Sequence, residues 1–214
     1  MSVETRPAKS DDAPFLAWVM QEAARSHLEK GIWDFVFPGD ESKRLDLLAE
    51  ICTSDIEHFA HYSRFRVLEV DGEPASALSA YENARFGAKH LDAPMAQILV
   101  SRGWTAEDLG VMAKRAASFE VLGYPNPDGL WIVEWVATKP EFRGRSLVRQ
   151  LLREILEEGR AQGFERAQIG YLLGNVRAKS AYEGVGFEVV EEYRHADFEK
   201  DYGSPGLARM QMQL

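Results

Sequence analysis

The chain has 214 residues, 45% of them hydrophobic, enough for one well-filled core in a single domain. Its 34 acidic residues against 25 basic ones leave a net charge of −9, which argues against nucleic acid or an anionic membrane as partner and mildly favours cationic ones, beside the plainer reading of solubility. A single cysteine, Cys52, excludes an internal disulfide framework, and without an apolar leader or a bilayer-length apolar run the expected location is cytoplasmic.

In chain order, residues 3–6 form a strand candidate, and the Ala8–Pro14 stretch resembles a helix start, with Asp11 or Asp12 as cap and Pro14 in the first turn. The helix that follows, over about 13–28, carries Phe15, Trp18, Val19 and Glu22 at helical spacing. Residues 31–39 read as a loop rich in aromatics, with Trp33, Phe35 and Phe37. A second helix is expected over about 41–62, with Cys52 inside it as a small buried hydrophobe. Asp55, His58 and His61 would share a face of that helix, but with no cysteine or further ligand nearby no metal site is expected. Strands 64–70 and 75–81 flank Asp71-Gly72, a strong hairpin signal. Residues 84–128 read as a helical insertion, with helices over 94–102 and 105–122 and a capping box opening at Thr105.

A near-continuous apolar strand, 130–138, then holds one carboxylate, Glu134. It runs into Lys139-Pro-Glu-Phe-Arg143-Gly144-Arg145-Ser146 and a helix over 146–162 with a clean apolar stripe ended by Gly163. An Arg-Gly turn at a helix N-terminus sets unpaired backbone N–H groups beside fixed positive charge, which is a pyrophosphate cradle. The remaining elements are a strand over 166–173, a helix over 175–183 and strands over 187–194 and 207–214.

That order, with the Arg143–Val148 run and the spacing Asn175-x-x-Ala178-x-x-x-Tyr182-x-x-x-Gly186-Phe187, resembles the GNAT superfamily of acetyl-CoA-dependent acyltransferases. The resemblance covers nearly all of the chain outside residues 84–128. It implies an α/β (α+β) fold: a mixed, mostly antiparallel twisted sheet of about seven strands flanked by helices, with the helical insertion between strands 3 and 4. It implies acetyl-CoA as cosubstrate, held by Val136, Ala137 and Thr138 on the strand, by Arg143, Gly144, Arg145, Ser146, Leu147 and Val148 in the loop and helix start, and by Asn175; Lys179, one turn beyond Asn175, either reaches a CoA phosphate or is a plain exposed helix lysine. The family signature places small residues where this chain has Ser146 and Val148.

Acyl transfer to an amine requires removal of a proton from the amine, stabilisation of an oxyanion and a proton for the leaving thiolate. Glu134, the sole charge of an apolar strand, suits the base, because burial raises a carboxylate's pKa; the alternative is a structural glutamate paired to an arginine. If it is the base, its replacement by Gln should cost most at low pH. Tyr182, protonated at neutral pH, suits the acid, or else packs its helix on the sheet. The resemblance puts the oxyanion against a backbone N–H near Val136. Trp18 and Trp33 either wall the acceptor pocket with Glu134 or fill the core. The expected activity is acetylation of a primary amine on a small cationic metabolite, the alternative a non-catalytic acyl-CoA-binding module; the insertion is left as a lid or a homodimer surface.

Overall fold

The computed structural model describes residues 2–120 and 126–214. Its strands are β1 (Val3–Pro7), β2 (Phe65–Val70), β3 (Glu73–Glu82), β4 (Trp131–Thr138), β5 (Arg166–Leu172), β6 (Glu188–Arg194) and β7 (Gly206–Gln213). Its helices are α1 (Ala13–Arg25), α2 (Ile32–Val36), α3 (Glu41–Cys52), α4 (Asn83–Phe86), α5 (Asp92–Ser101), α6 (Ala106–Glu120), α7 (Leu147–Ala161), α8 (Val176–Glu183) and α9 (Ala196–Tyr202). The strands form one seven-stranded sheet in the order β1-β2-β3-β4-β5-β7-β6. Its pairs are antiparallel except β4 with β5. The mixed sheet, the seven strands and the helices inserted between β3 and β4 are as expected.

Two apolar clusters cover the two faces. On one, α1, α2, α3 and α5 pack on Phe65, Val67, Ala77, Tyr81 and Ile132. On the other, α7 and α8 pack on Leu68, Leu78, Val133, Ile169 and Met210. The stripe of α7 fits this division, with Leu147, Leu151, Leu152, Ile155 and Leu156 all buried. Helix and strand lock together at Trp131, whose indole N–H donates to the Ile155 carbonyl at 2.9 Å. Among the described residues no helix is long and apolar enough to cross a membrane.

Local rules account for most boundaries. Asp71 and Gly72 both take positive φ, 51° and 82°, the pair of left-handed residues that a two-residue hairpin requires. Thr105 and Asp108 cap α6 reciprocally, Thr105 N to Asp108 Oδ2 at 2.8 Å and Asp108 N to Thr105 Oγ1 at 3.2 Å. The expected end of that helix, Leu122, lies outside the described residues.

Four expectations are corrected. Helix α1 stops at Arg25 rather than 28, because Ser26 turns to φ 61°. The aromatic loop contains α2, whose N-terminus is closed by the Asp34 carboxylate accepting from Gly31 N at 2.9 Å. Helix α3 ends at Cys52, where Thr53 Oγ1 donates back to the Ala49 carbonyl at 3.2 Å, so His58 and His61 lie in turns and not on a helix face. There each ring is used locally: His58 Nδ1 accepts from Ala60 N and His61 Nδ1 from Ser63 N. Burial holds His58 down to about 4 and pushes the Cys52 thiol up to about 12, leaving both uncharged at neutral pH. Finally, α9 intervenes between β6 and β7, opened by His195 Nδ1 accepting from Asp197 N and closed by Gly203 at φ 78°.

Candidate active site

The site is built around an irregularity in β4. Ser79 pairs with Glu134 and Ala77 with Ala137, so the one residue between them on β3, Leu78, opposes two on β4, Trp135 and Val136. The extra residue is taken up at Trp135, which stands at φ +53°. This bulge breaks the two-residue alternation, so Glu134 and Trp135 both turn toward the α1 face while Val136 returns to the α7 face. On the other edge, β4 pairs with β5 only at Trp131, Ile132 and Val133. Beyond Val133 the two central strands diverge. The stretch Val136, Ala137 and Thr138 therefore lines the cleft between them, with backbone groups on that side outside the ladder.

Glu134 stands at the mouth of this cleft. Asn126 Nδ2 donates to its Oε1 at 2.6 Å and to the Tyr81 hydroxyl at 2.9 Å. Burial pushes the carboxyl up to about 7, against the lowering effect of the hydrogen bonds from Asn126 and Tyr81. No arginine pairs with it among the described residues, so the structural alternative does not apply in the form expected. The raised value also corrects the expected pH dependence. A carboxyl that titrates near 7 is itself protonated at low pH, so its loss matters most above neutrality.

An aromatic stack leads away from it. Trp135 lies between Trp33 (5.6 Å, 25°) and Phe59 (5.9 Å, 18°), Phe59 reaches Tyr81 at 5.8 Å, and Trp33 continues to Phe37 at 6.0 Å. The indole nitrogens of Trp33 and Trp135 have no hydrogen-bond partner among the described residues. Trp18 is not part of this wall. It stacks on Phe15 at 5.8 Å and lines a different groove, about 500 Å³, with Lys139, Pro140 and Glu141.

At the far end of β4 the loop closes on itself: Arg143 Nε donates to the Thr138 carbonyl at 3.1 Å and Arg145 Nη2 to the Glu141 carbonyl at 3.2 Å. Arg143 also lies 3.7 Å from Glu22 of α1. Gly144 (φ 81°) and Ser146 (φ 60°) are both left-handed. Ser146 is the N-cap of α7, yet its side chain caps nothing, so the first-turn N–H groups at Leu147 and Val148 stay available to an anion. Val148 packs into the core cluster instead of facing the loop. From the loop into α7, Arg145, Arg149 and Arg153 recur every fourth residue and line a groove of about 540 Å³ with Ser146, Gln150 and Glu154. Uncapped helix N–H groups, three arginines and a strand edge open to hydrogen bonding fit a pyrophosphate carrying an amide-containing arm.

The left-handed turn explains why a small residue belongs at position 146. A side chain there is strained by about 1 kcal/mol relative to glycine. Ser146→Gly is expected to raise stability in urea unfolding by about 0.5–1 kcal/mol. A loss instead would mean that the Ser146 hydroxyl contributes more than its backbone conformation costs.

The motif around α8 also has a physical basis. Asn175 is its N-cap, with Oδ1 accepting from Ala178 N at 3.0 Å and Nδ2 donating to Ser26 Oγ at 2.7 Å, which ties α8 to the end of α1. Lys179 pairs with Glu183 at 3.7 Å on the surface. Tyr182 is buried against α7 with its ring edge-on to Phe187 at 6.5 Å, and burial alone raises its pKa. Glu134 and Tyr182 thus stand on opposite faces of the sheet, with the β4/β5 cleft between those faces.

The sequence pattern of the Acetyltransferase (GNAT) family matches residues 27–187. The chain belongs to this family. That family is one of acetyltransferases. An N-acetyltransferase from Staphylococcus aureus Mu50 superposes with a TM-score of 0.71 at 17% identity, covering 98% of this chain and 100% of that one. YncA of Salmonella typhimurium, a putative acetyltransferase solved with its cofactor acetyl-CoA, superposes at 0.55 with 17% identity over 100% and 95% of the two chains. A curated relative, the Bacillus subtilis (strain 168) spore coat polysaccharide biosynthesis protein SpsD, is 31% identical over 99 residues, 42% of this chain and 34% of its own. The aligned part is thus about a third of that relative's length.

Sequence reasoning missed the acetyltransferase's Trp135, Tyr81, Asn126, Gln168 and the Arg149–Arg153 stripe. A usable signal existed for one of them. Ala167, Ile169 and Tyr171 alternate on one face of β5, which forces the polar Gln168 into the opposite apolar layer.

Proposed function

We propose that this acetyltransferase acetylates a primary amine on a small cationic metabolite by direct transfer, with Glu134 as general base and Tyr182 as proton donor. The observation that carries the reading is a carboxyl titrating near 7 at the mouth of the β4/β5 cleft, beside aromatic faces. Such a group is ionised often enough at neutral pH to accept a proton, and basic enough to use it. The stack of Trp33, Trp135 and Phe59 gives this side of the cleft an apolar wall, and the carboxylate orients an ammonium group beside it.

Val136, Ala137, Thr138, the loop 143–146 and the first turn of α7 would hold acetyl-CoA, which supplies the acetyl group as a thioester. Glu134 takes the proton that the ammonium must shed. Tyr182 keeps its proton at Oη across the neutral range, because burial disfavours the phenolate, and so holds a donor on the α8 side of the cleft. Cys52 takes no part: it is fully buried in α3 and its thiol stays protonated.

A panel of diamines, amino sugars and amino acids, followed by thiol release from acetyl-CoA, tests the reading. At least one cationic amine should be turned over, and Tyr182→Phe should lower kcat by about 10²-fold with little change in acetyl-CoA affinity. Thiol release that no amine accelerates would end the proposal. A Tyr182→Phe enzyme of normal kcat would remove the phenol from it.

A further inference from the structure

We propose that Asn126 is a positioning residue: its side-chain amide, aimed by Gln168 and Gln211, holds the Glu134 carboxyl in one orientation and keeps it ready to accept a proton. This rests on the reading of Glu134 as the base.

Three amides form a one-way relay across three elements. Gln211 Nε2 on β7 donates to Gln168 Oε1 on β5 at 3.0 Å, Gln168 Nε2 donates to Asn126 Oδ1 at 3.0 Å, and Asn126 Nδ2 donates to Glu134 Oε1. Gln168 is fully buried, so its amide depends on these partners. The direction is chemically determined. An ionised carboxylate only accepts, so the Asn126 NH₂ must face it, the Asn126 oxygen must face away, and each amide behind must turn the same way. A donor held on the carboxylate favours its charged form and opposes the effect of burial. Asn126 comes from the end of the inserted segment, five residues before β4, so the insertion supplies part of the site.

The charges of the surrounding elements are engaged elsewhere. Glu22 of α1 pairs with Arg25 and Arg143, Asp34 of α2 with Arg25 and Arg44, Glu82 of β3 with Arg85, and Arg209 of β7 with Glu191. Arg166 of β5 reaches Gln211, and the charged residues of α7 leave the opposite face of the sheet. Among the described residues, Tyr81 is the titratable group hydrogen-bonded to Glu134.

The test follows the protonation of Glu134 itself by infrared titration, using the carboxylic acid C=O band that Glu134→Gln removes. Asn126→Leu, which keeps water out, should move the midpoint up by about one pH unit, with smaller upward moves for Gln168→Leu and Gln211→Leu in that order. The acid limb of kcat/KM for one fixed amine should move with it, since the amine's own ionisation is common to all variants. An unmoved midpoint in folded Asn126→Leu overturns the proposal. Should that variant fail to fold, unmoved midpoints in both glutamine variants overturn it equally. A midpoint that rises while the acid limb stays still upholds the grip on the carboxyl and instead sinks the assignment of Glu134 as base.

Discussion

Replacing Glu134 with Gln is expected to lower kcat/KM by about 10²–10³-fold at pH 8 and, at the same pH, to make the protein more stable by about 3 kcal/mol. Both effects have one cause. The native carboxyl titrates at about 7, against 4.5 for the free side chain. Between those values the native state holds a proton that the unfolded chain has released, so stability falls as pH rises across this window and stays lowered above it. Gln is neutral throughout and removes that cost. The gain should therefore be absent near pH 4, grow up to about pH 7 and then level off. The activity loss should follow the same course, because below the midpoint the wild-type carboxyl is protonated and idle. Acetyl-CoA affinity should hardly change, since the cofactor loop lies at the other end of β4. Urea unfolding at several pH values and parallel kinetics check this. A uniform activity loss at every pH, together with weakened acetyl-CoA binding, would identify Glu134 as a structural group.

The same residue marks how far sequence alone reaches. Glu134 stood out because one charge interrupts an apolar strand, a contrast that local composition reveals. The hairpin at Asp71-Gly72, the stripe of α7 and the start of α8 were legible for a related reason: each follows from interactions within a few residues. Asn175 caps a helix whose third residue is Ala178, and Gly186 with Phe187 closes the turn behind it, so the motif is largely a helix and its two ends.

What was not legible depends on distant partners. The bulge at Trp135 exists only as a mismatch of register between β3 and β4. Asn126 lies forty-two residues from Gln168 in sequence, and nothing local to either predicts their hydrogen bond. The end of α3 and the existence of α2 were misjudged because propensity does not announce that Asp34 will cap one helix while serving arginines from two others.

That role of Asp34 underlies the second large effect. Asp34→Asn is expected to destabilise the protein by about 3–5 kcal/mol. The Asp34 carboxylate is almost fully buried and accepts from Arg25 Nη2 at 2.9 Å, Arg44 Nη2 at 2.7 Å, Gln21 Nε2 at 2.8 Å and Gly31 N at 2.9 Å. Burial by itself would raise its pKa; the Arg25 hydrogen bond, the Gly31 N–H and Arg44 together outweigh that and hold it below the usual carboxylate range. Arg44 is only 5% exposed and remains charged. An amide at position 34 offers one acceptor oxygen and no charge, which strands that guanidinium in the core. Because the carboxyl's pKa is depressed, its contribution is complete above the ordinary carboxylate range and disappears as pH falls through and below it. The difference between wild type and Asp34→Asn should thus be constant from neutral pH down to that range and collapse in stronger acid. The consequence extends to the acceptor side proposed above. Arg44 also donates to the Phe37 carbonyl at 3.0 Å, and Phe37 ends α2, whose Trp33 lays its indole on Trp135. Below its melting transition the variant should show a raised KM for the amine and an unchanged KM for acetyl-CoA. A stability loss under about 1 kcal/mol would mean that water reaches both guanidinium groups. Equal changes in the two KM values would mean that α2 does not wall the acceptor side.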